Sequence, residues 1–177
     1  MKNAIVLVGE FSSGKSYAGD YLSKKLSIIH LGISSSIRTV CNQRKIPQTR
    51  ENLALVGREL TILESDYYLA KVLLDNIEDE NIIISGCRQL GQLEYLKRET
   101  NCILVGILTD PKIRYKRMCE RGKKDENMSY EEFLQVQELE NSEAQNVGRC
   151  LKLCDIFIEN NGSIEEFKEK LSNIEFL

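Results

Sequence analysis

The sequence contains little of what several classes of protein require. It has one histidine and six cysteines, and no two cysteines form a CxxC pair, so a zinc site is not expected. No apolar run approaches the roughly 20 residues that a membrane-spanning helix needs. The net charge of −3 argues against general nucleic-acid binding, which depends on neutralising many phosphates. We therefore expect neither a membrane nor a nucleic acid as a partner.

Internal repeats, low-complexity segments and linkers are also absent from the sequence. A chain of 177 residues is then expected to be one domain, long enough to bury a core. Its start, one lysine and an apolar run that ends in glycine, is typical of a first strand rather than of a signal peptide. The cysteines are expected to be reduced and mostly buried, as in a cytoplasmic protein.

Short apolar runs alternate with longer helical patterns along the whole chain. The predicted strands cover residues 3–8, 27–31, 81–85, 102–108 and 155–158. The predicted helices cover residues 15–26, 34–43, 51–77 with a break near 65, and 89–99, and three more begin at Pro111, Ser129-x-x-Glu132 and Ser163-x-x-Glu166. Strands separated by helices predict an α/β fold with a five-stranded parallel sheet and helices on both faces.

The segment GEFSSGKS, residues 9–16, fits the phosphate-binding pattern G-x-x-x-x-G-K-[ST], known as Walker A. A predicted strand precedes it and a predicted helix follows, which is the context that such a loop needs. Backbone N–H groups and the helix N-terminus would point at phosphate oxygens. Lys15 would bridge the terminal phosphates, and the Ser16 hydroxyl would bind Mg²⁺. The predicted ATP-binding residues of this loop are Gly9, Ser12, Ser13, Gly14, Lys15 and Ser16.

A second group of cations follows the fourth predicted strand. Arg114, Arg117 and Arg121 are spaced to share one helical face. Charge close by is added by four lysines: Lys112, Lys116, Lys123 and Lys124. Cations that face one cleft would stabilise a polyphosphate during transfer. A solvated helix face is the alternative interpretation.

These segments, taken in order, resemble the P-loop nucleotide and small-molecule kinases, in particular adenylate-kinase-like and dephospho-coenzyme-A-kinase-like proteins. HLGISSSIR (30–38) is similar to the segment that ends in a phosphate-binding arginine. IIISGCRQLGQLEYLK (82–97) is similar to a strand followed by a D-G-x-R segment and a helix. DPKIRYKRMCERGKKDE (110–126) resembles the lid, and CDIFIENNGSIEEFKEKL (154–171) resembles the end of dephospho-coenzyme-A kinases.

The resemblance implies a three-layer α/β/α P-loop fold with a small lid around 112–129 and acceptor-covering helices around 34–77. It implies transfer of the ATP γ-phosphate to a small phosphorylated metabolite. A nucleoside monophosphate or a dephospho-coenzyme-A-like nucleotide is the leading acceptor class.

The resemblance also implies roles for particular residues. Arg38 and Arg88 would grip the acceptor, and three lid arginines would join Lys15 in neutralising the transferring phosphoryl group. A loop near the end of the chain would lie against the adenine. The implied catalytic residues are Lys15, Arg88, Arg114, Arg117 and Arg121, and the implied adenine loop is Asn160, Asn161 and Gly162.

Positions that are usually acidic in this family are neutral here: Ser85, Gly32 and Ser34. Mg²⁺ would then need another carboxylate, and the candidates by motif position are Glu10, Asp66 and Asp110. Asp110 is the best of them, because it follows the carboxyl end of a parallel strand, where open α/β sheets bind ligands. A helix cap before Pro111 is an equally good interpretation of Asp110.

Two further assignments have alternatives. Arg50 or Arg58 would contact the acceptor, or would form a surface salt bridge. His30 is expected to be a hydrogen-bonded strand histidine rather than a catalytic one, since no Ser/Cys–His–Asp pattern lies near it in the sequence.

A nucleotide-binding regulator that has lost transfer is the alternative to a kinase. A GTPase switch is disfavoured because an N-K-x-D motif for guanine is missing.

Overall fold

Five parallel strands form the centre of the molecule. The computed structural model describes residues 1–122, 128–141 and 146–174. The strands are β1 (Lys2–Val8), β2 (Ile29–Gly32), β3 (Asn81–Ser85), β4 (Thr100–Leu108) and β5 (Ile156–Glu159). They pair in the order β2-β3-β1-β4-β5, and every pairing is parallel. The predicted fold class is confirmed.

The helices alternate with the strands along the chain. They are α1 (Lys15–Leu26), α2 (Ser34–Gln43), α3 (Arg50–Leu63), α4 (Tyr68–Asp75), α5 (Leu90–Glu99), α6 (Pro111–Arg121), α7 (Tyr130–Glu140), α8 (Val147–Lys152) and α9 (Ile164–Ser172). Among the described residues, no helix is long and apolar enough to cross a membrane.

The sheet is buried on both faces. Val6 and Val8 of β1 pack into one apolar cluster with side chains of α2, α3, α4 and α5. Ile5 and Leu7 point the other way and pack with α1 and α9. Successive strand residues face opposite sides of a sheet, so a strand covered on both sides must be apolar throughout. This explains the uninterrupted run AIVLV and gives three layers.

Most boundaries agree with the sequence patterns, and the exceptions have local causes. The pattern over 51–77 forms two helices, α3 and α4, separated by turns at residues 64–67. The short helix α8 is missing from the predictions, because its six residues are too few to show a periodicity. Both predicted capping boxes are present: Ser129 with Glu132 and Ser163 with Glu166 exchange side-chain and backbone hydrogen bonds.

Strand β5 starts one residue later than predicted because Asp155 has another role. Its backbone N–H donates to Leu104 O at 2.8 Å, and its carboxylate accepts from Leu104 N–H at 2.8 Å. Burial alone would raise the pKa of Asp155. The hydrogen bond from Leu104 and the contact with Lys97 outweigh burial and hold the pKa of Asp155 below its ordinary value.

Replacing Asp155 by alanine is expected to lower the free energy of unfolding by about 1–2 kcal/mol at pH 7. A lowered carboxyl pKa stabilises the fold above the unfolded-chain pKa of about 3.9, and this contribution is lost as the pH falls through the folded value. Urea unfolding at pH 7 and at pH 3 measures the difference, which should shrink at pH 3. Asp75→Ala, which removes an exposed partner of Lys71, is the control and should have little effect at either pH. An Asp155→Ala loss of equal size at both pH values would contradict this assignment.

Candidate functional site

The glycine-rich loop joins β1 directly to α1 at the carboxyl edge of the sheet. Gly14, at the N-terminus of α1, has φ 101° and provides no side-chain cap for that helix. A Cβ on Gly14 would lie 2.5 Å from Asn160 Nδ2, so both the backbone angle and the space require glycine. A Cβ on Gly9 would lie 2.8 Å from the carbonyl oxygen of Ile107. Both glycines of the motif therefore permit close packing that other residues would prevent.

Two buried polar atoms beside this loop have no hydrogen-bond partner within the described part of the chain. They are the Ser13 hydroxyl oxygen and the Nη1 atom of Arg117. Leaving a buried polar atom unpaired costs about 1–3 kcal/mol, and more when the group is charged. An anion in the loop would pair with such donors, so the residues present fit a nucleotide phosphate.

The start of α1 is suited to an anion. Its first turn contains no acidic side chain, and the N–H groups of a first turn have no partner inside the helix. Lys15 Nζ donates to the carbonyl oxygen of Glu10 at 2.6 Å, which folds the side chain over the loop. Ser16 is exposed in the same turn. Its hydroxyl suits Mg²⁺, which takes oxygen ligands and is commonly shared between one or two protein groups and substrate phosphates.

Two arginines of α6 lie close to this loop, Arg121 in direct contact and Arg117 through Asn160. Arg117 Nη2 donates to Asn160 Oδ1 at 3.2 Å, and burial lowers the pKa of Arg117. Arg121 Nη2 is 3.3 Å from Ser12 Oγ, and its guanidinium carbon lies 5.3 Å from the centre of the Phe11 ring. Arg121 therefore contacts the phosphate loop itself, and Arg117 contacts the side chain that bonds to Ser13 O; their part in phosphoryl transfer stays a prediction. Lys123 and Lys124 lie outside the described residues.

Arg114 differs from its two neighbours, because it is fully buried. Its guanidinium donates to the carbonyl oxygens of Phe11 and Thr109, at 3.2 and 3.1 Å. It also forms an ion pair with Glu10 at 3.0 Å and bonds to Gln137. With no accessible surface, Arg114 braces the loop from within the protein. This corrects the expectation that all three arginines face the transferring group.

The loop after β5 supports the phosphate loop directly. The amide nitrogen of Asn160 donates to Ser13 O at 2.9 Å, and the hydroxyl of Thr109 donates to the same oxygen at 3.0 Å. Asn161 Oδ1 accepts from the backbone N–H of Asp110 at 2.8 Å. Contact of Asn160, Asn161 and Gly162 with an adenine stays a prediction.

Each carboxylate proposed for Mg²⁺ has a structural partner. Glu10 pairs with Arg114, and the Asp66 carboxylate accepts from Gly91 N–H at 3.0 Å. Asp110 Oδ1 accepts from Lys112 N–H at 2.8 Å and caps α6. Of the two interpretations of Asp110, the structure shows the helix cap.

The arginines assigned to the acceptor are exposed at the same edge of the sheet. Helix α2 begins beside the end of β3, where Ile33 N–H donates to Ser85 O at 2.8 Å, and Arg38 lies on that helix. Arg88 follows β3 directly and is exposed. Arg38 also donates to Gln48 at 3.1 Å. The side chain of Arg50 lies outside the described part of the structure.

The hydrogen-bond partners of His30 are not predicted by the sequence patterns. His30 Nδ1 lies 2.9 Å from Asp20 Oδ1, and His30 Nε2 lies 2.9 Å from Ser85 Oγ. His30 is hydrogen-bonded, as expected, and its partners form a Ser–His–Asp row although no such pattern lies near it in the sequence. The three residues belong to α1, β2 and β3, so only the fold brings them together.

Comparison with known proteins agrees with this geometry. An AAA domain family model matches residues 5–148. A UPF0200 protein of Methanocaldococcus jannaschii is 26% identical over 177 residues, which cover 96% of this chain and 87% of the relative. A UPF0200 protein of Sulfurisphaera tokodaii is 27% identical over 173 residues, which cover 96% and 94%.

Solved kinase structures share the fold. Shikimate kinase from Bacteroides thetaiotaomicron superposes with a TM-score of 0.61 at 16% identity, over 96% of both chains. A gluconokinase from Sinorhizobium meliloti gives 0.60 at 13% identity, over 96% of this chain and 89% of the other. These structures share the P-loop kinase fold with this chain, and the finer likeness to dephospho-coenzyme-A or adenylate kinases stays a prediction. The chain belongs to the AAA domain family and has the fold of the P-loop kinases.

Proposed function

We propose that the protein is an ATP-dependent phosphotransferase that moves the γ-phosphate of ATP to a small phosphorylated metabolite. The observation that carries this proposal is the phosphate loop with its unpaired buried donors, Ser13 Oγ and Arg117 Nη1. A nucleoside monophosphate or a dephospho-coenzyme-A-like nucleotide is the acceptor class that we favour. The fold and the family support a nucleotide site, and the exposed arginines Arg38 and Arg88 support an acceptor that carries a phosphate.

The proposed roles follow from where the side chains lie. Lys15 and the loop N–H groups hold the ATP phosphates, and Arg117 and Arg121 neutralise charge on the transferring group. Arg114 positions the loop without touching the nucleotide. Ser16 holds Mg²⁺, which when bound shields the phosphate charge and orients the terminal phosphates.

The acceptor site is proposed around the two exposed arginines, Arg38 and Arg88. A guanidinium matches the oxygens of a phosphate bidentately, which gives both affinity and orientation. Holding the acceptor in line with the γ-phosphate is the main catalytic contribution that such a site makes.

Replacing Arg88 by alanine is expected to raise the KM for the acceptor roughly 10–100-fold, because one charge-assisted contact is lost. The KM for ATP should stay unchanged. Steady-state release of ADP, with each substrate varied in turn, measures both constants. Acceptors are drawn from nucleoside monophosphates, dephospho-coenzyme A and small phosphorylated alcohols. Arg98→Ala, at the other end of α5, is the matched control. Equal losses for both substrates would remove Arg88 from the acceptor site.

A nucleotide-binding regulator is the second candidate function. It is favoured by the neutral residues at three positions that are usually acidic, Ser85, Gly32 and Ser34, because they leave fewer carboxylates to bind Mg²⁺. A regulator would bind ATP tightly and give no transfer to any member of the acceptor panel. A P-loop ATPase would instead hydrolyse ATP rapidly without an acceptor.

A further inference from the structure

A continuous hydrogen-bonded row runs from α1 to the carboxyl end of β3. It consists of Asp20, His30 and Ser85, joined by the two 2.9 Å contacts of the His30 ring. Ser85 pairs with Leu7, the last residue but one of β1, so it stands beside the strand that leads into the phosphate loop. The row therefore ends at the edge of the sheet where the nucleotide is proposed to bind.

When the His30 ring is neutral, the chemistry of the three groups fixes the direction of both hydrogen bonds. A carboxylate can only accept, so His30 Nδ1 carries the proton that Asp20 accepts. In the neutral ring Nε2 is then an acceptor, and the Ser85 hydroxyl donates its proton to it. Once its proton is directed at His30, Ser85 Oγ can only accept from any further group.

Packing holds the ring in this orientation. A Cβ on Gly19 would lie 2.3 Å from His30 Cε1 and Nε2, so the ring rests directly on α1, and its side chain is 12% exposed. Gly19 follows Ser16 by about one helical turn. The ring thus stands one turn of α1 away from the hydroxyl proposed to hold Mg²⁺.

We propose that Asp20 and His30 position Ser85 Oγ as the acceptor for a water molecule of the nucleotide-bound Mg²⁺. The inference rests on the proposed function. Mg²⁺ keeps several of its waters when it binds with a nucleotide, and the protons of those waters need acceptors. Glu10, Asp66 and Asp110 are bonded elsewhere, and Asp20 is the carboxylate that is linked to Ser85, through His30.

Asp20, His30 and Ser85 have different roles in this arrangement. Ser85 supplies the accepting oxygen, and His30 and Asp20 are positioning residues that touch neither metal nor substrate. Asp20 fixes which nitrogen of His30 carries the proton. If that tautomer reversed, His30 Nε2 would donate to Ser85 and would turn the hydroxyl proton outward, so Ser85 would present a donor where an acceptor is required.

The test separates metal affinity from nucleotide affinity. ADP binding is measured by calorimetry in EDTA and in Mg²⁺, and the affinity of the ADP complex for Mn²⁺ is measured by electron paramagnetic resonance. Ser85→Ala is expected to lower metal affinity roughly 10–100-fold and to leave ADP affinity in EDTA unchanged. Asp20→Asn should give a smaller loss of the same kind, because its amide can donate to His30 Nδ1 and reverse the tautomer. Asp20 is 68% exposed, so its replacement does not disturb packing.

Ser23→Ala, at the far end of α1, is the control and should match the wild type, since its hydroxyl bonds to Ile28 O. Normal metal affinity in both Ser85→Ala and Asp20→Asn would overturn the inference and leave the proposed function standing. Equal losses of ADP affinity with and without metal would also overturn it, since they would show a purely structural role. Failure of the wild-type protein to bind ADP at all would overturn the proposed function, and this inference with it.

Discussion

Replacing Lys15 by alanine is expected to weaken ATP binding by roughly 100-fold or more, because charge-assisted contacts to two phosphates are lost together. The Lys15 ammonium lies over the loop, 2.6 Å from Glu10 O. Calorimetric titration with ATP measures the loss. The fold should be unaffected, since Lys15 is not part of either apolar cluster.

Lys24→Ala is the matched control for this experiment. It removes the same side chain from the last turn of the same helix, away from the loop. Its ATP affinity should equal that of the wild type. ATP binding by Lys15→Ala at wild-type affinity would contradict the assignment of GEFSSGKS as the donor site.

Replacing Arg114 by methionine is expected to lower the free energy of unfolding by about 3 kcal/mol, since the fully buried partner of an ion pair is removed and the partly buried Glu10 is left unpaired. The change strands the Glu10 carboxylate and leaves the carbonyl oxygens of Phe11 and Thr109 without a donor. Urea unfolding measures the loss. ATP affinity should fall as well, because the loop loses its brace.

Arg98→Ala provides the comparison, because Arg98 forms an exposed pair with Glu99 and should contribute little. The double variant Glu10→Gln with Arg114→Met should recover part of the stability, since the stranded charge is gone. A folded Arg114→Met protein of normal stability that loses only turnover would contradict the bracing role. It would return Arg114 to the transferring phosphate.

The phosphate loop is the part of the site that sequence patterns predict most fully. Strand β1, the glycine loop and α1 are contiguous, so their spacing can be read directly along the chain. Gly14 illustrates this, because a motif position that demands glycine proves to have φ 101°. Gly14 must also be glycine because the side-chain amide of Asn160 packs against it. Asn160 belongs to a loop far along the chain, so the sequence pattern does not predict this contact.

Helical periodicity indicates which residues share a face of a helix, but not how deeply each of them is buried. Spacing predicts that Arg114, Arg117 and Arg121 share one face of α6. It cannot show that Arg114 meets Glu10 and is buried, while Arg121 stays exposed, because burial depends on what the rest of the chain packs against that face. Asp110 is similar, since only the structure decides between cap and metal ligand.

The row formed by Asp20, His30 and Ser85 cannot be predicted from local sequence patterns. The strand order β2-β3-β1 brings β2 beside β3, and α1 packs over both. Ser85 is 55 residues from His30, so no short sequence motif contains the whole row. The usable signal is a neutral residue where the family pattern has an acid, combined with a lone histidine on the adjacent strand.

Transfer of the γ-phosphate to an acceptor is the reaction that defines a phosphotransferase. The protein is incubated with Mg²⁺, γ-labelled ATP and each acceptor of the panel in turn, and labelled product and ADP are quantified together. We predict that at least one phosphorylated acceptor becomes labelled, with one ADP formed per product, and that Lys15→Ala abolishes both signals. Tight ATP binding without transfer to any acceptor, or ADP release that no acceptor stimulates, would contradict a phosphotransferase.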